Sequence, residues 1–230
     1  MGVHVMRTET EHQPLDPLLI YGGGGHCKAV IDLARALGKY RIVGILDDHL
    51  PVGDDVLGVP VLGGSEKLPE IYASGVLLAA NSVGGIGNYR VRLNVFEWLA
   101  QAGYTCPALI HPAAFVEPSA SIAEGVQVLP TAYIGSAAQL GFGTIINAGA
   151  IISHDCKIGR VANISPGAML AGGVTIEDYA QVGMGVTINL NITIGSQARV
   201  GNGATVKADV PAGGRVYAGM IWPARIGTQS

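Results

Sequence analysis

Between Val116 and Val206, every sixth residue is Ile, Leu or Val, without interruption. The residue two positions before each of these is small or β-branched, as at Ala114 and Ala204. A period of six fits neither an α-helix, with a period of 3.6, nor a β-strand, with a period of 2. It is typical of a parallel β-helix, in which short strands alternate with sharp corners and the coils stack on one another. The repeat therefore predicts a β-helix over 110–206, with about eighteen residues in each coil.

The chain before this repeat alternates apolar runs with helical patterns. Strands are predicted at 17–21, 41–46 and 76–80 with a short extended piece near Val61, and helices at 26–37, 65–74 and 88–102. This order predicts a small Rossmann-like βαβαβα domain with a parallel sheet over 17–109. We expect a flexible lead-in at 1–16 and a tail at 207–230.

A glycine-rich loop lies between the first predicted strand and the first predicted helix. Bare backbone amides at a positive helix end favour an anion. The loop is not a dinucleotide fingerprint, because Cys27 occupies the third glycine position, so oxidoreductase chemistry is poorly supported. We expect Gly22, Gly24, Gly25 and His26 to hold the phosphates of one nucleotide, with His26 donating to an oxygen. The alternative is a tight strand–helix turn without a ligand.

Two carboxylates, Asp47 and Asp48, end the second predicted strand. Ligands of open α/β sheets bind at the carboxyl ends of the strands. As acceptors, the two side chains could hold a ribose or the edge of a base. The alternative interpretation is a solvated turn.

His154 is the only histidine between Pro112 and the C-terminus. The neighbouring carboxylate of Asp155 would orient the imidazole and raise its basicity, which suits a general base. Gly172, eighteen residues further on, should stack beside His154, and with Gly173 it leaves a patch without side chains for a thin ligand. The alternative is a surface histidine at a coil corner. One histidine cannot form the three-histidine zinc site of β-helix carbonic anhydrases, so we expect no metal.

The composition narrows the class of protein. Apolar residues make up 49% of the chain and charged residues 13%, which suits stacked coils. The net charge of −3 argues against nucleic acid as a partner. The sequence has no apolar run of membrane-spanning length, and its first sixteen residues are polar and lack the apolar core expected of a signal peptide. Cys27, Cys106 and Cys156 have no metal-binding spacing and read as reduced thiols, so we expect a cytoplasmic location.

Together these motifs resemble the sugar N-acyltransferases of the PglD/NeuD type, over nearly the whole chain past residue 17. The resemblance is carried by residues 20–26, 46–48, 110–112, 146–147, 153–159, 164–168 and 171–172. It implies a small nucleotide-sugar domain followed by a left-handed parallel β-helix. The left hand comes from the family, because crossover connections are usually right-handed.

The resemblance also implies site residues and an assembly. His154 would be the general base, Asp155 its orienting partner and Asn147 the active-site asparagine. Gly172 and Gly173 would lie against the pantetheine arm of acetyl-CoA in a groove between solenoids. The family forms homotrimers with active sites between subunits, and the N-terminal domain holds a nucleotide-linked amino sugar.

The chain departs from the family pattern at two places. Many relatives carry a second histidine nine residues after the base, where this chain has Asn163, whose amide can donate a hydrogen bond but cannot titrate. The Gly-x-Pro-Ala-Arg ending is two residues longer here and contains Trp222. Trp222 would stack on the adenine of acetyl-CoA or cap the solenoid.

The function that follows is direct acetyl transfer from acetyl-CoA to an amino group, at C4 by the family's habit, of a nucleotide-linked deoxy sugar. The product would serve lipopolysaccharide O-antigen or other surface glycan synthesis. One alternative is O-acetylation of a sugar such as a sialic acid. Another is a non-catalytic trimer that binds a nucleotide sugar.

Overall fold

The computed structural model describes residues 14–87 and 89–223, which form an α/β domain and a left-handed parallel β-helix. The expected lead-in at 1–16 lies outside the described residues up to residue 13. The expected first residue of the last helix, Asn88, and the Ala-Arg of the C-terminal ending, at 224–225, also lie outside them. No helix among the described residues has the length and apolar character that a membrane crossing requires.

The α/β domain has a five-stranded sheet with the strand order β3-β4-β2-β1-β5. Its strands are β1 Asp16–Tyr21, β2 Tyr40–Leu46, β3 Asp55–Val56, β4 Val59–Gly63 and β5 Leu78–Asn81. Its helices are α1 Gly25–Leu37, α2 Leu68–Ala73, preceded by a 3₁₀ turn at Ser65–Lys67, and α3 Tyr89–Gln101. The sheet is parallel except for the β3–β4 hairpin. The predicted alternation is confirmed, and the extended piece expected near Val61 is β4. Strand β3, which pairs with it in the hairpin, was not predicted.

Helix α1 begins directly after the glycine loop. It packs on the sheet through an apolar inner face. Val30, Ile31 and Leu33 are fully or almost fully buried against the sheet. The helix ends at Gly38, whose φ of 64° lets its amide donate to the carbonyl of Arg35. Gly24 precedes the helix without a side-chain cap, so the first amides of α1 are left for other acceptors.

The β-helix has three faces, each a stack of two-residue parallel strands. The covered face consists of β6 Leu109–Ile110, β9 Gln127–Val128, β12 Ile145–Ile146, β15 Asn163–Ile164, β18 Gln181–Val182, β21 Arg199–Val200 and β23 Arg215–Val216. The apolar face consists of β7 Phe115–Val116, β10 Tyr133–Ile134, β13 Ile151–Ile152, β16 Met169–Leu170, β19 Thr187–Ile188, β22 Thr205–Val206 and β24 Ile221–Trp222. The polar face consists of β8 Ser121–Ile122, β11 Gln139–Leu140, β14 Lys157–Ile158, β17 Thr175–Ile176 and β20 Thr193–Ile194.

The coils extend beyond the predicted end of the solenoid. The six-residue register breaks after Val206, but Val216 pairs with Val200 and Trp222 pairs with Val206. The β-helix therefore runs to Trp222, and the expected tail at 207–230 begins as a last, shorter coil. Sequence periodicity missed this coil because it has sixteen residues between paired positions, as in Val200 and Val216, instead of eighteen.

The covered face carries the α/β domain, and a buried arginine joins the two. Arg92 of α3 is 1% exposed. Its guanidinium donates to the carbonyl oxygens of Asn81 (3.0 Å) and Val83 in the α/β domain and of Gly143 (3.2 and 3.3 Å) in the β-helix. Its charge also lies over the ring of Phe96, 5.0 Å from the centroid. The loop after β5 and the β-helix corner are thus held by one side chain.

Arg92→Met keeps much of the buried volume but leaves the carbonyl groups of Val83 and Gly143 without their side-chain donor, while that of Asn81 keeps only Gln127. We expect the free energy of unfolding to fall by about 3–5 kcal/mol, as when one partner of a buried charged network is removed. Chemical denaturation measures this loss. Arg41→Met, at an exposed arginine of β2, is the matched control and should change stability by less than about 0.5 kcal/mol. Equal stability of the two variants would contradict this role for Arg92.

Candidate active site

His154 stands at the corner between the apolar face and the polar face. Its Nδ1 lies 2.8 Å from Oδ2 of Asp155, and both side chains are about two-thirds exposed. Because a carboxylate only accepts, Nδ1 carries the proton and donates it to this bond. Nε2 is then the ring nitrogen that can take up a proton. The pair has the arrangement of an oriented general base.

Gly172 lies directly beside the imidazole, as the eighteen-residue coil predicts. A Cβ at this position would lie 2.5 Å from Nε2 of His154, so only glycine leaves room for the ring. Gly173 and Asp155 both have left-handed backbone, with φ of 71° and 59°, because they occupy the same corner position in successive coils. This close approach holds the imidazole ring of His154 against backbone that carries no side chains at Gly172 and Gly173.

The two predicted asparagines form a separate cluster. Asn147 donates through Nδ2 to the carbonyl of Ile164 (2.8 Å) and to Oδ1 of Asn163 (3.3 Å). Asn163 in turn donates to Oγ of Ser165 (3.0 Å) and is 2% exposed. Gly85 of the α/β domain covers it, since a Cβ on Gly85 would lie 2.7 Å from Cγ of Asn163. Asn163 therefore faces the domain boundary, with Asn147 on the more open side.

Within one chain, His154 and Asn147 lie at opposite edges of the apolar face. Asn147 follows β12 at the corner where the chain enters this face, and His154 follows β13 where the chain leaves it. The four residues predicted to act together thus form two groups, His154 with Asp155 and Asn147 with Asn163. A single chain does not bring the two groups together.

A cavity of about 400 Å³ opens at the carboxyl ends of β1 and β2. All six residues predicted to hold the nucleotide sugar line it: Gly22, Gly24, Gly25, His26, Asp47 and Asp48. No atom lies within 4 Å of the position that a Cβ would take on Gly24 or Gly25, so the loop is open on this side. Uncapped helix amides facing an open cavity suit a phosphate group.

His26 contacts the β-helix instead of standing free. Its Nε2 lies 2.8 Å from Oε1 of Gln127, whose own Nε2 donates to the carbonyl of Asn81 (2.7 Å). Oε1 is therefore the acceptor, and His26 carries its proton on Nε2. Burial lowers the pKa of His26, and the neutral ring offers Nδ1 as an acceptor. This differs from the expected donor role, because the donor nitrogen already serves Gln127.

The two aspartates are partly engaged by the protein. Asp47 accepts from the amides of Gly23 (2.6 Å) and His49 (2.9 Å). Asp48 accepts from the amide of Ser65 (2.7 Å) and from the hydroxyl of Tyr21. Although partial burial raises it, these two hydrogen bonds hold the pKa of Asp48 below its ordinary value. Each carboxylate keeps further lone pairs for a ligand.

Trp222 closes the end of the β-helix. It occupies the inward column above Val206, packs against the core and donates from Nε1 to the carbonyl of Asp209 (3.0 Å). These contacts favour the cap over adenine stacking. Cys156 is fully buried in the column of small residues, consistent with packing. Among the described residues, no group of three or more His, Cys, Asp or Glu side chains is arranged to bind a metal ion.

Comparison with known proteins places these features in a family. Residues 17–99 match the PglD N-terminal domain, and 155–190 match the bacterial transferase hexapeptide repeat. A variant of perosamine N-acetyltransferase from Caulobacter crescentus, solved with CoA and GDP-perosamine, is 34% identical, with 93% of this chain and 98% of that chain covered and a TM-score of 0.84. The acetyltransferase domain of PglB from Neisseria gonorrhoeae FA1090 is 36% identical, with coverage of 87% and 96% and a TM-score of 0.81. A comparison with curated protein sequences gave no match.

The chain belongs to the PglD/NeuD-type family of sugar N-acetyltransferases. The family resemblance drawn from the sequence motifs and the left-handed β-helix fold are thereby confirmed. WeeI from Acinetobacter baumannii AYE is a more distant structure, 27% identical with 90% and 98% coverage and a TM-score of 0.76.

Sequence reasoning missed several residues of this acetyltransferase's cavity and of the contacts behind it. Gln127, Arg92 and Ser165 act at the boundary between the domains, and Trp98 of α3 forms a wall of the cavity. Gln127 and Asn163 do share one outward column of the β-helix at a spacing of two coils. That regularity was a usable signal, but the sequence does not show that the column is covered.

Gly172→Ala would push the imidazole of His154 away from Asp155, because the new methyl group needs the same space. The ring is exposed and can swing out, so we expect little loss of stability. Turnover in an acetyl-transfer assay should fall by about 100-fold, as for a catalytic group displaced by about 1 Å. Normal turnover would show that the contact between the imidazole of His154 and Gly172 is not needed for activity.

The matched control for this variant is Gly213→Ala. Gly213 has φ of 67° and no atom within 4 Å of the added Cβ, and it lies at a different corner. This variant should lose about 1–2 kcal/mol of stability through backbone strain and keep its turnover.

Proposed function

We propose that this enzyme transfers the acetyl group of acetyl-CoA to the C4 amino group of a nucleotide-linked deoxy sugar. One observation carries the proposal: the oriented His154–Asp155 pair on bare backbone, in the same chain as an open cavity at a glycine loop. The structurally similar enzyme from Caulobacter crescentus binds CoA and GDP-perosamine, which supports the same substrate classes here. The co-substrate is acetyl-CoA, and the acetylated sugar serves surface glycan synthesis such as lipopolysaccharide O-antigen.

The transfer is direct, with His154 as the general base. The amine nitrogen attacks the thioester carbonyl, and Nε2 of His154 takes the proton that the nitrogen loses. The carbon–sulfur bond then breaks, and the imidazolium returns the proton to the leaving thiolate. Asp155 stabilises the imidazolium through Nδ1. Cysteine is not needed as a nucleophile, since Cys156 is buried and its pKa is raised by burial.

The active site is shared between subunits of a homotrimer. The apolar face exposes Phe115, Ile151, Met169 and Ile221, whereas the outward residues of the polar face are Ser, Gln, Lys and Thr. The outward column runs through the rings of Phe115 and Tyr133 to Ile151 and Met169 before Thr187 and Thr205 separate it from Ile221. This run of four aromatic and aliphatic side chains favours burial against another copy. Packing three copies on these faces brings the His154 edge of one copy beside the Asn147 edge of its neighbour.

The acceptor and the base then come from different chains. The loop after β5 covers Asn163 with Gly85 and continues into the nucleotide cavity. A nucleotide sugar in that cavity reaches the Asn147 side of its own chain, where the neighbour supplies His154. The side-chain amide of Asn163 donates to Ser165, and its Oδ1 accepts from Asn147. Asn163 therefore acts by positioning Asn147. Gly172 and Gly173 of the neighbour give the pantetheine arm a path without side chains.

His154→Ala should lower the turnover number by about 10²–10⁴-fold, because it removes the general base. The measurement is CoA thiol release with an amino-sugar nucleotide and acetyl-CoA. Asp32→Ala is the control: Asp32 is an exposed residue of α1 that lines neither the cavity nor either edge of the apolar face, and its loss should leave turnover unchanged. Near-normal turnover of His154→Ala would exclude the base. CoA release with a hydroxyl acceptor but not an amino acceptor would contradict N-acetylation.

A shared site predicts that two inactive variants restore activity when mixed. In trimers co-assembled from equal amounts of His154→Ala and Asn147→Ala chains, about one site in four combines the two intact edges. Activity should therefore rise to about a quarter of the wild-type value after co-refolding. Each variant refolded alone is the control. A mixture that stays as inactive as its components would contradict a site between subunits.

A further inference from the structure

The nucleotide cavity has two chemically different ends. One end is the glycine loop, where the amide of Gly23 donates to Oδ2 of Asp47 (2.6 Å). The other end is aromatic: the ring of Trp98 lies 6.0 Å from the ring of Tyr21, centroid to centroid. The hydroxyl of Tyr21 donates to Oδ2 of Asp48. Asp47 thus lies at the glycine-loop end of the cavity, and Asp48 lies at the aromatic end.

The indole ring of Trp98 is a large aromatic surface that remains partly open to solvent. It projects from α3 into the cavity in line with Val91 and Val95, at helical spacing, and remains 39% exposed. The other side of the indole faces a second depression, lined by Ser65, Leu68 and Gln101 among others. The ring is therefore a wall with an uncovered surface toward the cavity. A flat aromatic surface at the end of a polar cavity is suited to stack a nucleobase.

Asp48 provides the polar contact at the same end. Oδ2 accepts from the hydroxyl of Tyr21 and Oδ1 from the amide of Ser65, whose side chain also interacts with the carboxylate. A carboxylate has about four acceptor sites, so room is left for a further donor. The pair of oxygens can accept from two adjacent donors. Guanine offers two such donors on one edge, N1–H and the N2 amino group, whereas uracil and thymine offer one donor between two carbonyl oxygens that a carboxylate repels.

We propose that Trp98 is the platform for the nucleobase and that Asp48 reads its edge, which makes guanine the preferred base. This inference rests on the proposed nucleotide-sugar acceptor and adds the base that it carries. It assigns the ribose to the neighbourhood of Asp47 and the diphosphate to the amides of Gly24 and Gly25. The order along the cavity is then base, ribose, phosphates and sugar, ending toward the β-helix.

Tryptophan emission tests the platform directly, because the chain has only two tryptophans, Trp98 and Trp222. Titration of the full chain with GDP should quench the emission. In Trp98→Phe only Trp222 remains, and the quench should disappear while GDP still binds. A quench that persists in Trp98→Phe would overturn the proposal, since the signal would come from Trp222 at the far end of the β-helix.

Calorimetry with GDP, UDP and dTDP tests the energetics and the base. GDP should bind most tightly, and Trp98→Leu should weaken it by about tenfold or more through lost stacking. Asp48→Asn should reduce the preference of GDP over UDP. Asp54→Asn, with the same charge change outside the cavity, should leave the preference unchanged. Unaltered GDP binding in Trp98→Leu, or equal binding of all three nucleotides by the wild type, would overturn the inference.

These measurements use no acetyl-CoA, so they separate this inference from the proposed function. A chain that binds GDP through Trp98 but does not release CoA with an amino acceptor would contradict the proposed function alone. A chain that acetylates the amine with the same nucleotide dependence in wild type and Trp98→Leu would contradict this inference alone. Thermal unfolding of each variant confirms that the compared proteins are folded.

Discussion

The stacking register between coils is the constraint on which the site depends. Backbone amides donate from one coil to the next, as from Gly135 to Ile152 (2.7 Å) and from Ser153 to Leu170 (3.1 Å). Each inward column is aliphatic, so a slip of one residue would turn the buried set to solvent. The register is therefore rigid, and it fixes Gly172 beside His154 without help from any side chain. The proposed general base, at a coil corner, is positioned by the hydrogen-bond ladder behind it.

The second constraint is the boundary between the two domains. Arg92 ties the loop after β5 to a β-helix corner, and Gln127 connects His26 of the glycine loop to the carbonyl of Asn81. Gly85 then lies close enough to cover Asn163. These contacts are polar and buried, so their geometry is specific as well as stabilising. They align the cavity at the glycine loop with the asparagine edge of the β-helix, so an acceptor bound as proposed would reach a defined edge.

The distribution of the proposed catalytic groups gives a physical reason for the proposed trimer. Asn147 and His154 flank one strand of the apolar face, which no other described element covers, and they cannot meet in one chain. The same face exposes Phe115 and Met169. Burial of that apolar surface and completion of the site would then be achieved by one contact between copies. In the proposed trimer, stability and activity depend on the same surface.

The sequence alone determined the β-helix, its eighteen-residue coil, the α/β domain and the pairing of His154 with Gly172, because each follows from a local period or spacing. It also identified six of the residues that line the cavity at the glycine loop, since strand ends and glycine loops have local signatures. Only the tertiary structure decided which outward column is covered, that His26 donates to Gln127, that Arg92 is buried, and that Asp48 accepts from Tyr21 while Asp47 accepts from Gly23. Those features depend on contacts between segments up to about a hundred residues apart, such as His26 with Gln127, and no local pattern encodes them.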